Sequence, residues 1–237
     1  MDYFYCPPEK ISEGTLVIDG EEFAHLAHVM RKKEGDEIRV VDGLGSAYDC
    51  RLSTFKRHMV HATIFHSYHQ HNEPSINVTL GVGILKNPSK FDFLVEKVTE
   101  LGVREIIPLL TERTIPRHAK VDRWQKLAIA AMKQSGRSYL PIVRKLTTVN
   151  ELLTLRDLFD VKLIAHENAN GTPGVTSIVS QHHHSVLILI GPEGGFSDDE
   201  VQQASGAGFT RLHLGERRLR TETAAIVAAG IFLLNIA

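Results

Sequence analysis

The stretch from Val186 to Ala237 constrains the fold more than any other part of this chain. It holds two short apolar runs, Val186–Ile190 and Phe209–Leu214, and each passes at once into glycine and polar residues and then into a helical pattern. Such runs read as strands of the kind buried in a parallel sheet. A turn that follows the strand and opens a helix presents free backbone N–H groups at the strand's C-terminal end, where a polar ligand can meet them. VLILIGPEGGFSDDE and LGERRLRTETAAIVAAGIFLLNIA both have this form, with arginines beside the second. We read the two turns as a cofactor pocket to which the upstream residues deliver a substrate.

The same alternation begins near Ile76. Strands are expected at Ile76–Leu85, at Glu105–Leu110, broken towards its end by Pro108, and at Val161–His166. Between them, Phe91, Leu94, Val95, Val98 and Leu101 mark an amphipathic helix that stops at Gly102, and Val121, Trp124, Ala128 and Ala131 mark a second. Ser89 with Asp92 resembles an N-cap arrangement, and Ser197 with Glu200 is a capping box. The last helix, from about Thr221, is almost wholly apolar after Glu222, so the core or another subunit must cover it. The pattern predicts an α/β fold with a mostly parallel sheet covered on both faces.

The chain before His71 is β-rich instead. Leu16–Asp19, Glu37–Asp42 and Met59–His66 read as strands, and Phe23, Leu26, Ala27 and Met30 as a short helix ending in Arg31-Lys32-Lys33. A small barrel that binds RNA locally, through Arg31 to Lys33, is the expectation by fold analogy. The polar HNEP run places the boundary there, giving domains 1–71 and 72–237.

Composition excludes some functions. At 43% hydrophobic and 23% charged, with no apolar run near the ~20 residues that span a bilayer, the chain reads as soluble and cytoplasmic. Cys6 and Cys50 are too few for a disulfide framework and read as free thiols. His66, His69 and His71 have metal-like spacing, but no thiolate or carboxylate cluster completes a tetrahedral set, and no metal is expected. The net charge of −1 hides a local excess: Arg113, Arg117, Lys120, Arg123, Lys126, Lys133, Arg137, Arg144 and Lys145 face one anion, Asp122. That span is either a phosphate-binding surface or a solvated helix face.

The glycine turns are not built for a nucleotide phosphate. No GK[ST] follows GPEGG, no G-x-G-x-x-G stands at a strand–helix junction, and Gly81-Val82-Gly83 reads as a packing feature within a strand. The Glu193 carboxylate would repel a pyrophosphate. S-adenosylmethionine, with its cationic centre and an adenine that takes backbone hydrogen bonds, suits the turns better.

Five blocks then carry a resemblance: AHLAHVMRKKEGDEIRVVDGLG, LVEKVTELGVREIIPLLTERT, QSGRSYLP, LIGPEGGFSDDE and LGERRLRTETA. In order and spacing the sequence resembles the bacterial 16S rRNA uridine-N3 methyltransferases, the RsmE family of the SPOUT superfamily, over nearly its whole length. The resemblance implies a PUA-like barrel followed by an α/β domain tied in a trefoil knot, a homodimer joined through the last helix, and S-adenosylmethionine bound bent on the knot loops. Those loops correspond to His166–Asn168, Ile190–Gly195 and Leu214–Leu219.

The implied cofactor residues are Glu167, Ile190, Gly191, Gly194, Gly195, Leu214, Gly215 and Leu219. Arg220 and, more weakly, Arg217 are expected to stabilise the anion that develops on the base, with a phosphate clamp or a dimer salt bridge as the alternatives. Glu222 either orients an arginine, accepts a proton, or stabilises a helix N-terminus. Arg31, Lys97, Arg113, Gln134 and Arg137 are expected at the RNA, which would be the ribosomal RNA of the small subunit, assembled in the 30S particle. Two departures stand out: Asp2 and Tyr3 replace the family's N-terminal arginines, and Glu216 and Arg218 add charge where proline and an aliphatic residue are usual.

Overall fold

A computed structural model describes residues 2–167 and 183–234. Asn168, the last residue of the first expected knot loop, lies outside them, as do the other residues of 168–182. The chain divides into two compact units, Met1–Glu73 with Ile129–Leu140, and Pro74–Ala128 with Pro141–Ala237. A single cut after His71 does not describe this division, because Ile129–Leu140 belongs to the first unit.

In the first unit, strands β1 (Tyr3–Tyr5), β2 (Ile11–Ser12), β3 (Thr15–Asp19), β4 (Glu37–Val41), β5 (Ser46–Lys56) and β6 (Met59–His69) form a six-stranded sheet in the order β1-β4-β5-β6-β3-β2. Phe4, Leu16, Ile18, Ile38, Val40, Cys50, Leu52, Val60 and Ala62 converge from these strands on one core, as the inner face of a barrel does. The expected helix is shorter and changes winding: α1 (Gly20–Ala24) passes into a π-helical turn at His25–Val29. Phe23 and Leu26 are buried by it, whereas Met30 is exposed. Both cysteines are buried and free, and burial pushes their thiols up, Cys6 to about 11 and Cys50 to about 12.

One carboxylate is central to this unit. Arg137 and Glu73, with side chains 3% and 4% exposed, pair at 2.7 Å between Nη2 and Oε2. Glu73 Oε1 also accepts the N–H groups of Ser138 and Tyr139, each at 2.9 Å. A second pair, Arg39 with Asp49, is bidentate at 2.7 and 2.9 Å, and the Tyr68 hydroxyl donates to Asp49 Oδ2 at 2.9 Å.

In the second unit, β7 (Asn77–Gly83), β8 (Glu105–Leu110), β9 (Ile142–Val143), β10 (Thr147–Thr148), β11 (Val161–Ala165), β12 (Ser185–Ile190) and β13 (Thr210–Leu212) form one seven-stranded sheet. Its order is β10-β8-β7-β12-β11-β13, with β9 also on β8, and every pairing is parallel. β8 runs unbroken through Pro108. That residue pairs with Val82 on one side and lies opposite the gap between β9 and β10 on the other, so the ladder tolerates its missing N–H.

The helices are α2 (Pro88–Leu101), α3 (Val121–Ser135), α4 (Val149–Leu153), α5 (Asp198–Gly206) and α6 (Thr221–Leu233). The N-cap of α2 is Asn87, whose side chain accepts from the Ser89 N–H, and Pro88 takes the first helical position; the Ser89–Asp92 cap is therefore corrected. Gly102 ends α2 with φ 115°, and the Ser197–Glu200 capping box opens α5. Helix α6 packs on α2, β7 and β12 and buries Ala225, Ala228, Ala229 and Phe232. Val227 and Leu234 remain exposed on it.

Candidate active site

Because the strands are parallel, their C-terminal ends gather the turns that follow β7, β8, β11, β12 and β13 along one edge of the sheet. Gly191 begins the turn after β12. A Cβ there would lie 3.0 Å from the backbone of Gly195 and Phe196, so only glycine lets the turn fold back on itself. The Gly195 N–H closes it on the Pro192 carbonyl at 2.8 Å. Gly83 of β7 is equally constrained, since its Cβ would meet Pro192 at 2.5 Å.

Side chains then fix the turn in place. The Thr221 hydroxyl, at the start of α6, donates to the Gly191 carbonyl at 3.0 Å. Arg113 Nη1 donates to the Gly194 carbonyl at 2.9 Å, and Glu193 Oε1 accepts the Lys86 N–H at 3.0 Å. The Glu193 carboxylate thus fastens two loops together. After β13, the His166 N–H reaches the Leu212 carbonyl at 3.1 Å, joining the turns after β11 and β13.

These turns offer a ligand bare backbone. Gly195 and Gly215 adopt φ 69° and 100°, and open space surrounds the position a Cβ would take at each. Ile190 is buried beneath the turn, Leu214 and Leu219 are half-buried, and Glu167 is exposed. The groups required by a flat adenine and a ribose, free backbone edges over an apolar floor, are present. Among the described residues no cluster of histidine, cysteine or carboxylate side chains is placed to hold a metal ion.

Arg217 and Arg220 are both exposed, and neither guanidinium has a hydrogen bond or ion pair among the described residues. Arg220 is the N-cap residue of α6, and its carbonyl accepts the Ala224 N–H at 2.8 Å. Glu222 is the second residue of α6 and is 8% exposed. Its Oε1 faces Lys90 Nζ at 3.4 Å, while its Oε2 has no hydrogen-bond partner among the described residues.

The expected RNA contacts divide. Arg31, with φ 54°, and Gln134 are exposed, and Lys97 pairs with Glu100 at 2.7 Å beside Phe93. Arg113 is exposed but braces the glycine turn. Arg137 is a correction: its guanidinium is buried against Glu73, which leaves it no face for a phosphate. The basic span is also partly neutralised, for Arg123 pairs with Asp92, Lys133 with Glu22 and Arg144 with Glu105.

Sequence reasoning missed Lys90 and the Thr221 hydroxyl. Lys90 did leave a signal: a cation in the first turn of α2 opposes the helix dipole and needs a local reason. Thr221 left none, because a threonine at a helix start is commonplace.

Both parts of the chain match families of RNA-modifying transferases. The family described as an RNA methyltransferase domain matches residues 71–233, and an RNA methyltransferase PUA domain matches residues 18–65. Ribosomal RNA small subunit methyltransferase E of Bacillus subtilis is 32% identical over 232 residues, 93% of this chain and 90% of that protein. The structure of the corresponding Neisseria gonorrhoeae enzyme, bound to S-adenosyl methionine, superposes with a TM-score of 0.85 at 35% identity, covering 99% of this chain and 98% of the other. A Legionella pneumophila methyltransferase in complex with the same cofactor gives a TM-score of 0.85 at 29% identity, with 98% and 97% covered. The chain belongs to the ribosomal RNA small subunit methyltransferase E family.

Proposed function

We propose that this protein methylates N3 of a uridine in small-subunit ribosomal RNA from S-adenosylmethionine, with the assembled 30S particle as substrate. The observation that carries this reading is the glycine-walled edge of the parallel sheet, with two uncommitted arginines and a buried carboxylate oxygen beside it. The cofactor supplies an electrophilic methyl group. Its adenosine would rest on Ile190, Gly191, Gly194, Gly195, Leu214, Gly215 and Leu219, with Glu167 at the rim.

Uridine N3 must lose its proton for its lone pair to attack, and negative charge spreads onto the flanking carbonyl oxygens. Arg220 stabilises that charge, with Arg217 in support, because a fixed guanidinium lowers the barrier without reorganising water. The unit of Met1–Glu73 with Ile129–Leu140 acts as the RNA-binding part, and that of Pro74–Ala128 with Pro141–Ala237 as the methyltransferase part. Arg31, Lys97, Arg113 and Gln134 contact the RNA, where Lys97 and Arg113 also keep their structural partners. The exposed apolar residues of α6, Val227 and Leu234, join two copies in a homodimer. Among the described residues no helix is long and apolar enough to cross a membrane, and the ribosomal substrate places the enzyme in the cytoplasm.

The test is methyl transfer from labelled cofactor to 30S particles and to naked RNA, followed by nucleoside analysis. N3-methyluridine on the particle supports the proposal, and any other methylated nucleoside overturns it. Arg220→Ala should lower turnover by ~10²–10³-fold, the usual effect of removing an anion-stabilising donor. Calorimetry should find cofactor affinity little altered, and unchanged turnover would remove Arg220 from the reaction.

A further inference from the structure

Glu222 is the most unusual charged group of the second unit. It is more than nine-tenths buried, yet Oε2 has no hydrogen-bond partner among the described residues. A buried acceptor left empty is costly, and a native protein retains one where a ligand fills it. The elements packed on α6 are α2, β7 and β12. β7 and β12 contain no titratable residue. On α2, Asp92 is held by Arg123 and Trp124, and Lys97 pairs with Glu100, while Glu96 makes no hydrogen bond or ion pair among the described residues. Lys90 alone among these groups faces Glu222, and it does so on Oε1.

We propose that Glu222 accepts the N3 proton of the target uridine through Oε2, and that Lys90 is the positioning residue that holds Oε1 and leaves Oε2 unpartnered. This rests on the uridine-N3 reading above. The step balances as follows. The N3–H bond breaks and its proton passes to Oε2, giving a neutral carboxylic acid. The electron pair left on N3 forms the N3–methyl bond, and the sulfur–methyl bond breaks with its pair returning to sulfur. The products are N3-methyluridine, S-adenosylhomocysteine and protonated Glu222, which then releases its proton to solvent.

A merely structural role for Lys90 would be met by any side chain that packs in its place, whereas this one needs a cation on Oε1. The measurements are single-turnover methyl transfer to 30S particles and calorimetry with S-adenosylmethionine, both with the full-length protein. Glu222→Gln should leave cofactor affinity within about threefold and slow transfer by roughly a hundredfold or more. Lys90→Met should slow transfer roughly tenfold at unchanged cofactor affinity, and Lys90→Arg should restore it.

Unslowed transfer in Lys90→Met, or a loss that Lys90→Arg does not restore, would overturn the proposal, even if Glu222→Gln does not fold. Loss of cofactor affinity in Glu222→Gln equal to the loss in rate would also overturn it, because Oε2 would then hold the cofactor. If the unaltered protein transfers no methyl group to uridine, the functional reading fails first and this inference falls with it.

Discussion

Glu73 and Glu222 are both almost completely buried and both face a cation, yet their surroundings differ in one decisive respect. Every acceptor direction of Glu73 is used: Arg137 meets both oxygens, and the N–H groups of Ser138 and Tyr139 complete Oε1. Glu222 has one distant lysine and an empty oxygen. The first arrangement ties Ile129–Leu140 to the N-terminal unit and leaves nothing for a ligand. The second is left incomplete by the fold, at the edge where the sheet presents its glycine turns. Burial and charge pairing are common to the two, so what separates them is the completeness of their hydrogen bonding.

The strongest way to break this comparison is Glu73→Ala. Removing the carboxylate takes the ion pair from a buried guanidinium and the acceptor from two N–H groups, and unfolding by urea should show a loss of ~3–5 kcal/mol. A loss below about 1 kcal/mol would mean that water reaches Arg137, and the contrast with Glu222 would fail.

Glu200 sharpens the comparison because it is buried and complete without a cation. Its Oε1 accepts the Glu112 N–H and its Oε2 the Ser197 N–H, both at 2.9 Å. Glu200→Ala should cost about 2 kcal/mol in the same unfolding measurement, the range for charge-assisted bonds to backbone donors. Equality with Glu73→Ala would show that the buried cation adds nothing.

How far these carboxylates could be read in advance differs for physical reasons. Glu200 was legible, because a capping box is local in sequence and needs only Ser197 three residues earlier. Glu73 was not: its partners lie more than sixty residues away, and a lone Arg137 in a basic span looks like a phosphate contact. The parallel sheet was legible from uninterrupted apolar runs such as Val186–Ile190. β5 escaped notice because its register shifts at Asp49/Cys50 and Leu52/Phe55 interrupt the alternation that marks a strand. The glycine turns declared themselves, but the hydroxyl of Thr221 and the cation of Lys90 reach them only through tertiary packing.

Asp49 is an intermediate case, complete but at a partly open site beside Arg39. The Arg39 hydrogen bond is the main cause that holds its pKa below the usual 3.8. A depressed folded value means that its contribution is fully present above the unfolded value and is lost as pH falls through the folded one. Asp49→Asn should therefore cost about 1 kcal/mol at neutral pH, since Arg39 retains some access to water. Denaturation followed below pH 4 should find the difference from the unaltered protein shrinking towards zero. A difference that persists unchanged in acid would show that packing, not charge, holds this pair.

The smallest stability change is expected at Glu222. Replacing the carboxylate by an amide removes a charge whose desolvation Lys90, on one oxygen only, offsets in part, and leaves an empty acceptor less costly to bury. Glu222→Gln should change unfolding free energy by less than about 0.5 kcal/mol, or raise stability slightly, because the amide has no charge to desolvate. The two carboxylates would then sit at opposite ends of one scale: Glu73, whose loss unfolds, and Glu222, whose loss is felt in methyl transfer. Destabilisation of Glu222→Gln comparable to that of Glu73→Ala would mean that Oε2 has a structural partner, and an incomplete hydrogen-bond shell would no longer separate reactive carboxylates from structural ones in this fold.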